Sequence, residues 1–258
     1  MYIYDTHAHL DHLDDVAGSL QRAHVAEVKG IVSVSIDLKS CQKNWDIARA
    51  STQPKIYLAM GMHPSDARAA ELPACIDFTR QHASDLVAIG EIGLDFWYKW
   101  ARKDQQKKDE QRQVFRSLLE LAKELNLPAI IHSRGTWREC LDTALKIGIK
   151  KAEFHWYSGP LDVLKDILAA GYYVSTSPSI AYAPPTREAM QLAPIEQTLI
   201  ETDSPVMFKE EGREDTPFKA EPKDVWRTLK AYAALKQIDE AKALNILNQN
   251  ACNFFNLK

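Results

Sequence analysis

Histidines and carboxylates recur in this chain at one kind of position. His7 and His9 lie in Asp5-Thr6-His7-Ala8-His9, and Glu91 lies in Ile89-Gly90-Glu91-Ile92-Gly93. His132 follows Ala129-Ile130-Ile131, His155 follows Glu153-Phe154, and Asp203 follows Leu199-Ile200-Glu201-Thr202. Each preceding run is short, apolar and strand-like. In a parallel barrel the C-terminal ends of the strands converge on one rim, so ligands far apart in sequence meet there. Four imidazoles and two carboxylates, with no thiolate among them, suit Zn²⁺, Mn²⁺ or Mg²⁺ in a working centre better than a closed structural zinc site. Six such groups exceed the needs of one tetrahedral ion. The economical reading is a pair of divalent metal ions, which would activate water and stabilise charge on a phosphodiester or a carbonyl.

Each position has its own logic. Side chains two residues apart on a strand share a face, so His7 and His9 can present both imidazoles to one cation. Glu91 is flanked by Gly90 and Gly93, which let backbone and ligand approach closely. A carboxylate in such an apolar run is costly to bury unless a cation sits beside it. Asp203 can bind metal and can also accept a proton from an attacking water, which makes Asp203 and Glu91 the catalytic candidates. His63, in Gly61-Met62-His63-Pro64, follows another strand-like run and is a candidate contact for a substrate phosphate.

The elements that must position these groups alternate along the whole chain. Strands are predicted at Tyr2–Asp5, Gly30–Ile36, Ile56–Gly61, Leu86–Gly90, Ala129–His132, Ala152–His155, Tyr172–Thr176 and Thr198–Glu201. They are mostly continuous apolar or β-branched runs, as expected of strands covered on both faces. Helices are predicted between them at Leu13–Lys29, Cys41–Ser51, Pro73–His82, Asp104–Leu125, Thr136–Ile147, Leu161–Ala169 and Pro185–Leu192, and the chain closes with Pro222–Lys236 and Asp239–Phe255. The clearest is Asp104–Leu125, where Val114, Phe115, Leu118, Leu119, Ala122 and Leu125 follow helical spacing. Eight alternations without a linker or repeat predict one α/β domain over residues 1–258, a (β/α)8 TIM barrel with its metal site on the C-terminal rim. Ser204–Glu221 reads as an irregular substrate loop on that rim.

Composition narrows the class. Cys41, Cys75, Cys140 and Cys252 form no CxxC pair and read as reduced, mostly buried thiols. The N-terminus enters a strand directly, with no signal-like segment, and no apolar run approaches the length of a membrane span. A cytoplasmic location without membrane contact is the expectation, and oligomeric state stays open. A net charge of −3 offers little long-range attraction for a polyanion, so a nucleic-acid substrate would be held mainly by the site itself.

The motifs together resemble those of the TatD-type metal-dependent deoxyribonucleases, within the amidohydrolase barrels. The match runs from Asp5-Thr6-His7-Ala8-His9-Leu10 through Gly61-Met62-His63-Pro64, Gly90-Glu91-Ile92-Gly93-Leu94-Asp95 and Ile131-His132-Ser133-Arg134. It continues through His155-Trp156-Tyr157-Ser158-Gly159, Glu201-Thr202-Asp203-Ser204-Pro205 and the closing Asn250-Ala251-Cys252-Asn253-Phe254-Phe255. The resemblance implies metal ligands at His7, His9, Glu91, His132, His155 and Asp203, with Glu91 bridging two ions and Asp203 orienting or deprotonating the nucleophilic water. It implies substrate or supporting roles for Asp95 and Arg134, and DNA phosphodiester bonds as the target. The chain departs from the pattern at Lys219-Ala220-Glu221-Pro222, where the family often shows Arg-Asn-Glu-Pro, and at Trp156-Tyr157, where it often shows Cys-Phe. These departures bear on the substrate. The alternative reaction is metal-dependent hydrolysis of a carbonyl substrate by an amidohydrolase, lactonase or esterase, and a scaffold on a metal-free barrel is a third reading. Phe96-Trp97-Tyr98-Lys99-Trp100 and the six basic residues of Lys99–Arg112 could contact bases and phosphates, or could be a packed loop and a solvated helix face.

Overall fold

A computed structural model describes residues 1–210 and 213–257. Eight parallel strands follow one another in chain order around a barrel: β1 (Ile3–Ala8), β2 (Val28–Val34), β3 (Lys55–Met60), β4 (Leu86–Asp95), β5 (Ala129–Arg134), β6 (Ala152–Phe154), β7 (Tyr173–Thr176) and β8 (Thr198–Ile200). Helices α1 (Val16–Val25), α2 (Leu38–Ala50), α3 (Leu72–Gln81), α4 (Gln105–Leu125), α5 (Trp137–Ile147), α6 (Leu161–Ala169) and α7 (Pro184–Leu192) connect them, and α8 (Val225–Lys236) and α9 (Glu240–Phe255) complete the ring. This is the (β/α)8 barrel that the alternation predicts.

Two faces of each strand build two apolar clusters. Ile31, Leu58, Met60, Ile89 and Ile131 pack with the helices in one of them. Their neighbours Val32, Tyr57, Ala59, Ala88 and Ile130 form the other, together with Phe254 and Phe255 of α9. The alternation places one set outward and the other inside the barrel. Fully burying a side chain such as Leu118 of α4 contributes about 2 kcal/mol. Helix starts are fixed by aspartates: Asp37 accepts from Ser40 N, Asp104 from Lys107 N and Asp239 from Lys242 N. Helix α4 stops where Asn126 turns left-handed, at φ 53°.

The barrel closes between β8 and β1, and the closure holds the rim together. Asp203 N donates to His7 O (2.9 Å), and His9 N donates to Ser204 O (2.8 Å). Below them the buried Asp5 carboxylate accepts from Thr202 N (2.9 Å) and Thr202 Oγ1 (2.6 Å). The first and last strands of the barrel are therefore locked at the point where His7, His9 and Asp203 stand.

The expected irregular segment Ser204–Glu221 is instead largely an antiparallel hairpin, β9 (Met207–Glu210) with β10 (Arg213–Lys219), and its residues 211 and 212 lie outside the described residues. Phe208 pairs with Phe218 across the hairpin and packs against Trp156 after β6, which anchors the hairpin to the rim. The charges and Pro217 conceal this two-residue alternation in the sequence. Strands β1, β4 and β5 also run further than expected, so His7, Glu91 and His132 lie within strands, while His9, His155 and Asp203 follow theirs.

Candidate metal centre

Backbone choices set up the site before any side chain does. Gly93 has φ +154°, and a Cβ there would lie 1.9 Å from His132 O, so only glycine lets β4 and β5 pair at this level. A Cβ on Gly90 would meet Ile130 at 2.6 Å. Asp203 (φ 48°) and Trp156 (φ 41°) both adopt left-handed conformations at the rim, a strain that surrounding structure must sustain. Gln111 of α4 fixes the end of β4 from behind, accepting from Asp95 N (2.9 Å) and donating to Asp95 O (3.1 Å).

Glu91, 1% exposed, stands at the centre. Its Oε2 lies 3.4 Å from both His7 Nε2 and His9 Nε2. Those same imidazole nitrogens lie 3.5 and 3.3 Å from Asp203 Oδ1. Its Oε1 lies 2.9 Å from His132 Nδ1, 2.8 Å from His155 Nε2 and 3.5 Å from His63 Nε2. One carboxylate thus separates two clusters and offers an oxygen to each. All six predicted ligand positions come together, and His63, expected at the substrate, lines the cavity over the centre and also lies against the second cluster.

The donor chemistry fits metal ions. Both nitrogens of His7, Nδ1 of His9 and Nδ1 of His155 are buried without a hydrogen-bond partner. Of these, His7 Nε2 faces the carboxylates of Glu91 and Asp203, and a buried imidazole nitrogen left unpartnered there calls for an electrophile. Three triads among the described residues bring ligand atoms close enough to hold one ion: His7, His9 and Asp203; His63, Glu91 and His132; and His7, His155 and Glu201.

Electrostatics lead the same way. Burial works against ionised Glu91, but the positive charge of His155 and hydrogen bonds from His132 and His155 hold its carboxyl well below the usual range. Burial likewise opposes a charged His9, yet Asp203 and Glu91 lift it to about 10. His155 is pushed well up by Glu91 and Glu201 against the same burial penalty. For His63 burial prevails and lowers it to about 3, keeping that ring neutral. The carboxylates thus create a demand for positive charge at the rim.

Two buried acids escape the sequence reading. Glu201 Oε1 lies 3.5 Å from His155 Nδ1, and its Oε2 accepts from Ser175 Oγ at 2.7 Å. Glu153 is fully buried beside it, with neither oxygen hydrogen-bonded. The signal for Glu201 is a carboxylate closing the apolar run Leu199-Ile200, where burial needs a partner. Asp95 and Arg134, expected at the substrate, occupy different depths. Asp95 is buried, with Oδ2 3.2 Å from His132 Nε2 and 2.8 Å from Arg134 Nη2. Arg134 is half-exposed and its guanidinium lies 4.9 Å from the Tyr98 ring centre. A cavity of about 590 Å³ opens over the centre, walled by His12, Tyr98, Arg134 and Trp156.

A (β/α)8 barrel with a buried His/carboxylate centre at the C-terminal ends of its strands belongs to the class of metal-dependent hydrolases. Within that class the family model for TatD-related DNases matches residues 4–256, and the chain belongs to this family. It is 30% identical over 267 residues to YabD, an uncharacterized metal-dependent hydrolase of Bacillus subtilis, with 99% of each chain covered. It is 29% identical over 263 residues to a putative deoxyribonuclease, tatdn3, of Danio rerio, covering 97% of this chain and 96% of the other. The crystal structure of YJJV, a TatD homologue from Escherichia coli, superposes with a TM-score of 0.88 at 26% identity, covering 99% of this chain and 98% of that one. The chain is a hydrolase that uses divalent metal. Among the described residues no helix is long and apolar enough to cross a membrane.

Proposed function

We propose that this protein hydrolyses DNA phosphodiester bonds with two divalent cations, Mg²⁺, Mn²⁺ or Zn²⁺, held at the rim. The observation that carries the reading is the division of Glu91 between two clusters, Oε2 toward His7 and His9 and Oε1 toward His132 and His155. His7, His9 and Asp203 would hold one ion with Glu91, and His132 and His155 the other. Bound there, the ions would supply Lewis acidity toward water and phosphate oxygens. Asp203, lining the cavity, accepts the proton that the attacking water loses. Arg134 stands on the cavity wall, placed to meet a phosphate oxygen, and Asp95 holds it there while fixing the ring of His132. His63 keeps the second cluster in place from the side, its Nδ1 engaged with Ser65 Oγ at 2.6 Å.

The name of the Danio rerio relative supports DNA as the substrate, as does the rim itself. Trp97 and Trp100, 62% and 44% exposed, flank Tyr98 of the cavity wall, where aromatic rings could stack on bases. The four unpaired cysteines support a reducing, cytoplasmic setting, and we read residues 1–258 as one domain. The test is cleavage of single- and double-stranded DNA by purified protein with Mg²⁺, Mn²⁺ or Zn²⁺ against EDTA, alongside Glu91→Ala and Asp203→Asn to exclude a contaminant. Metal-dependent cleavage lost in both variants is expected. Metal-loaded protein that leaves DNA intact but cleaves an ester, lactone or amide would overturn the choice of substrate.

A further inference from the structure

The end of the barrel opposite the metal centre carries a second concavity, of about 970 Å³. It opens where β3 and β4 begin, beneath the last turns of α2, α4 and α9. Leu86 at its edge and Glu91 are five residues apart along β4, so about 16 Å of strand separates the two sites.

Its charge is out of keeping with the rest of the molecule. Arg49, Lys55, Lys123, Lys150 and Lys151 line it against one acid, Asp85, in a chain whose net charge is −3. Several cations elsewhere on the surface are matched by acids: Arg22 pairs with Glu221, Arg80 with Glu124, Arg112 with Glu139 and Arg138 with Asp166. The partners of the five are neutral. Lys123 and Lys151 donate to the carbonyls of Ile147 (2.7 Å) and Asn253 (3.0 Å), which completes the ends of α5 and α9. Lys55 lies over the Tyr57 ring at 4.9 Å and Arg49 over the Trp45 ring at 5.7 Å. Helix geometry thus explains two of the five and leaves Arg49, Lys55 and Lys150 without anionic or carbonyl partners among the described residues. Neutral partners position these charges but do not cancel them. The volume lies within the range of small-molecule sites.

We propose that this concavity binds a phosphate-bearing anion of nucleotide size, at a site separate from the metal centre. Its cations would meet the phosphate, and Tyr57 and Trp45 would border the remainder. This proposal does not depend on how the metal centre is read, since the two sites share no residue.

Binding of AMP to the metal-loaded protein, followed by calorimetry and by amide hydrogen exchange, tests it. Protection is expected at residues 84–87 and 148–151, and inorganic phosphate should abolish it. Lys55→Glu with Lys150→Glu should weaken binding roughly tenfold or more by reversing two charges. Both positions are exposed, and the milder Lys55→Gln with Lys150→Gln pair should weaken it less. Neither pair should alter hydrolysis at the rim, which separates failure of this site from failure of the nuclease reading. Protection confined to the rim, unchanged affinity in the charge-reversed pair, or equal displacement by uncharged adenosine would overturn the proposal.

Discussion

Replacing Glu91 with glutamine keeps the shape of the central side chain and removes its charge. Glu91 is 1% exposed and its oxygens lie 2.8–3.5 Å from five imidazole nitrogens, so water cannot take over its role. At an effective dielectric constant of about 20, a carboxylate and a divalent cation about 4 Å apart attract by roughly 8 kcal/mol. Much of this is offset, because burying the carboxylate costs several kcal/mol that the amide avoids, and the amide oxygen still offers a lone pair. A net loss of about 3–5 kcal/mol remains, roughly two to four orders of magnitude in affinity. The assay is titration of metal-free protein with Mn²⁺ or Zn²⁺ against a chromophoric chelator, with circular dichroism as the check on folding. Both stoichiometric cations should weaken together if Glu91 serves both clusters. Weakening of one alone would refute the shared role, and affinities within tenfold of wild type for both would refute the centre itself.

Four further outcomes follow from the geometry. Glu201→Gln should weaken metal binding by about 10–100-fold with the fold intact, because His155 loses the carboxylate beside its Nδ1; an unchanged chelator titration would show that Ser175 and packing suffice. Asp203→Asn should retain at least one cation while losing most turnover, since the amide cannot accept the proton, and wild-type rates would remove Asp203 as the base. Gly93→Ala should cost more than about 2 kcal/mol in urea unfolding, because its Cβ would collide with His132 O at a φ that alanine rarely adopts; a neutral result would mean that β4 and β5 can shift freely. Dithionitrobenzoate at pH 8 should titrate only the half-exposed Cys252 in native protein and all four thiols in denaturant. Cys41 and Cys75 are fully buried, and burial pushes the Cys140 thiol up to about 12; fast reaction of a second thiol would contradict that packing.

What could be read from the chain depended on whether position along a strand carried the information. The barrel and the six converging groups were legible because a strand's end fixes where its side chains go, whatever the intervening helix contains. Glu201 closes the apolar run after Ile200, and Asp203 two residues on masks it because a second ligand-type acid already accounts for that strand's end. His63 was harder. Its motif places it on the rim, but that its ring both borders the cavity and lies against Glu91 depends on the contact between Ser65 and its Nδ1, which spacing does not encode. Asp95 likewise reads as a rim acid until Gln111, sixteen residues later on α4, is seen to hold its backbone in place. The basic concavity is the limiting case. Arg49, Lys55, Lys123, Lys150 and Lys151 come from the ends of helices and the starts of strands, where lysine and arginine are ordinary, and no local pattern joins them. A barrel brings its strand starts together as surely as its strand ends. The metal centre could be recognised at one end because its ligands are chemically unusual in apolar runs. At the other end the same convergence gathers common residues, so only the three-dimensional arrangement shows that their charges are left uncancelled.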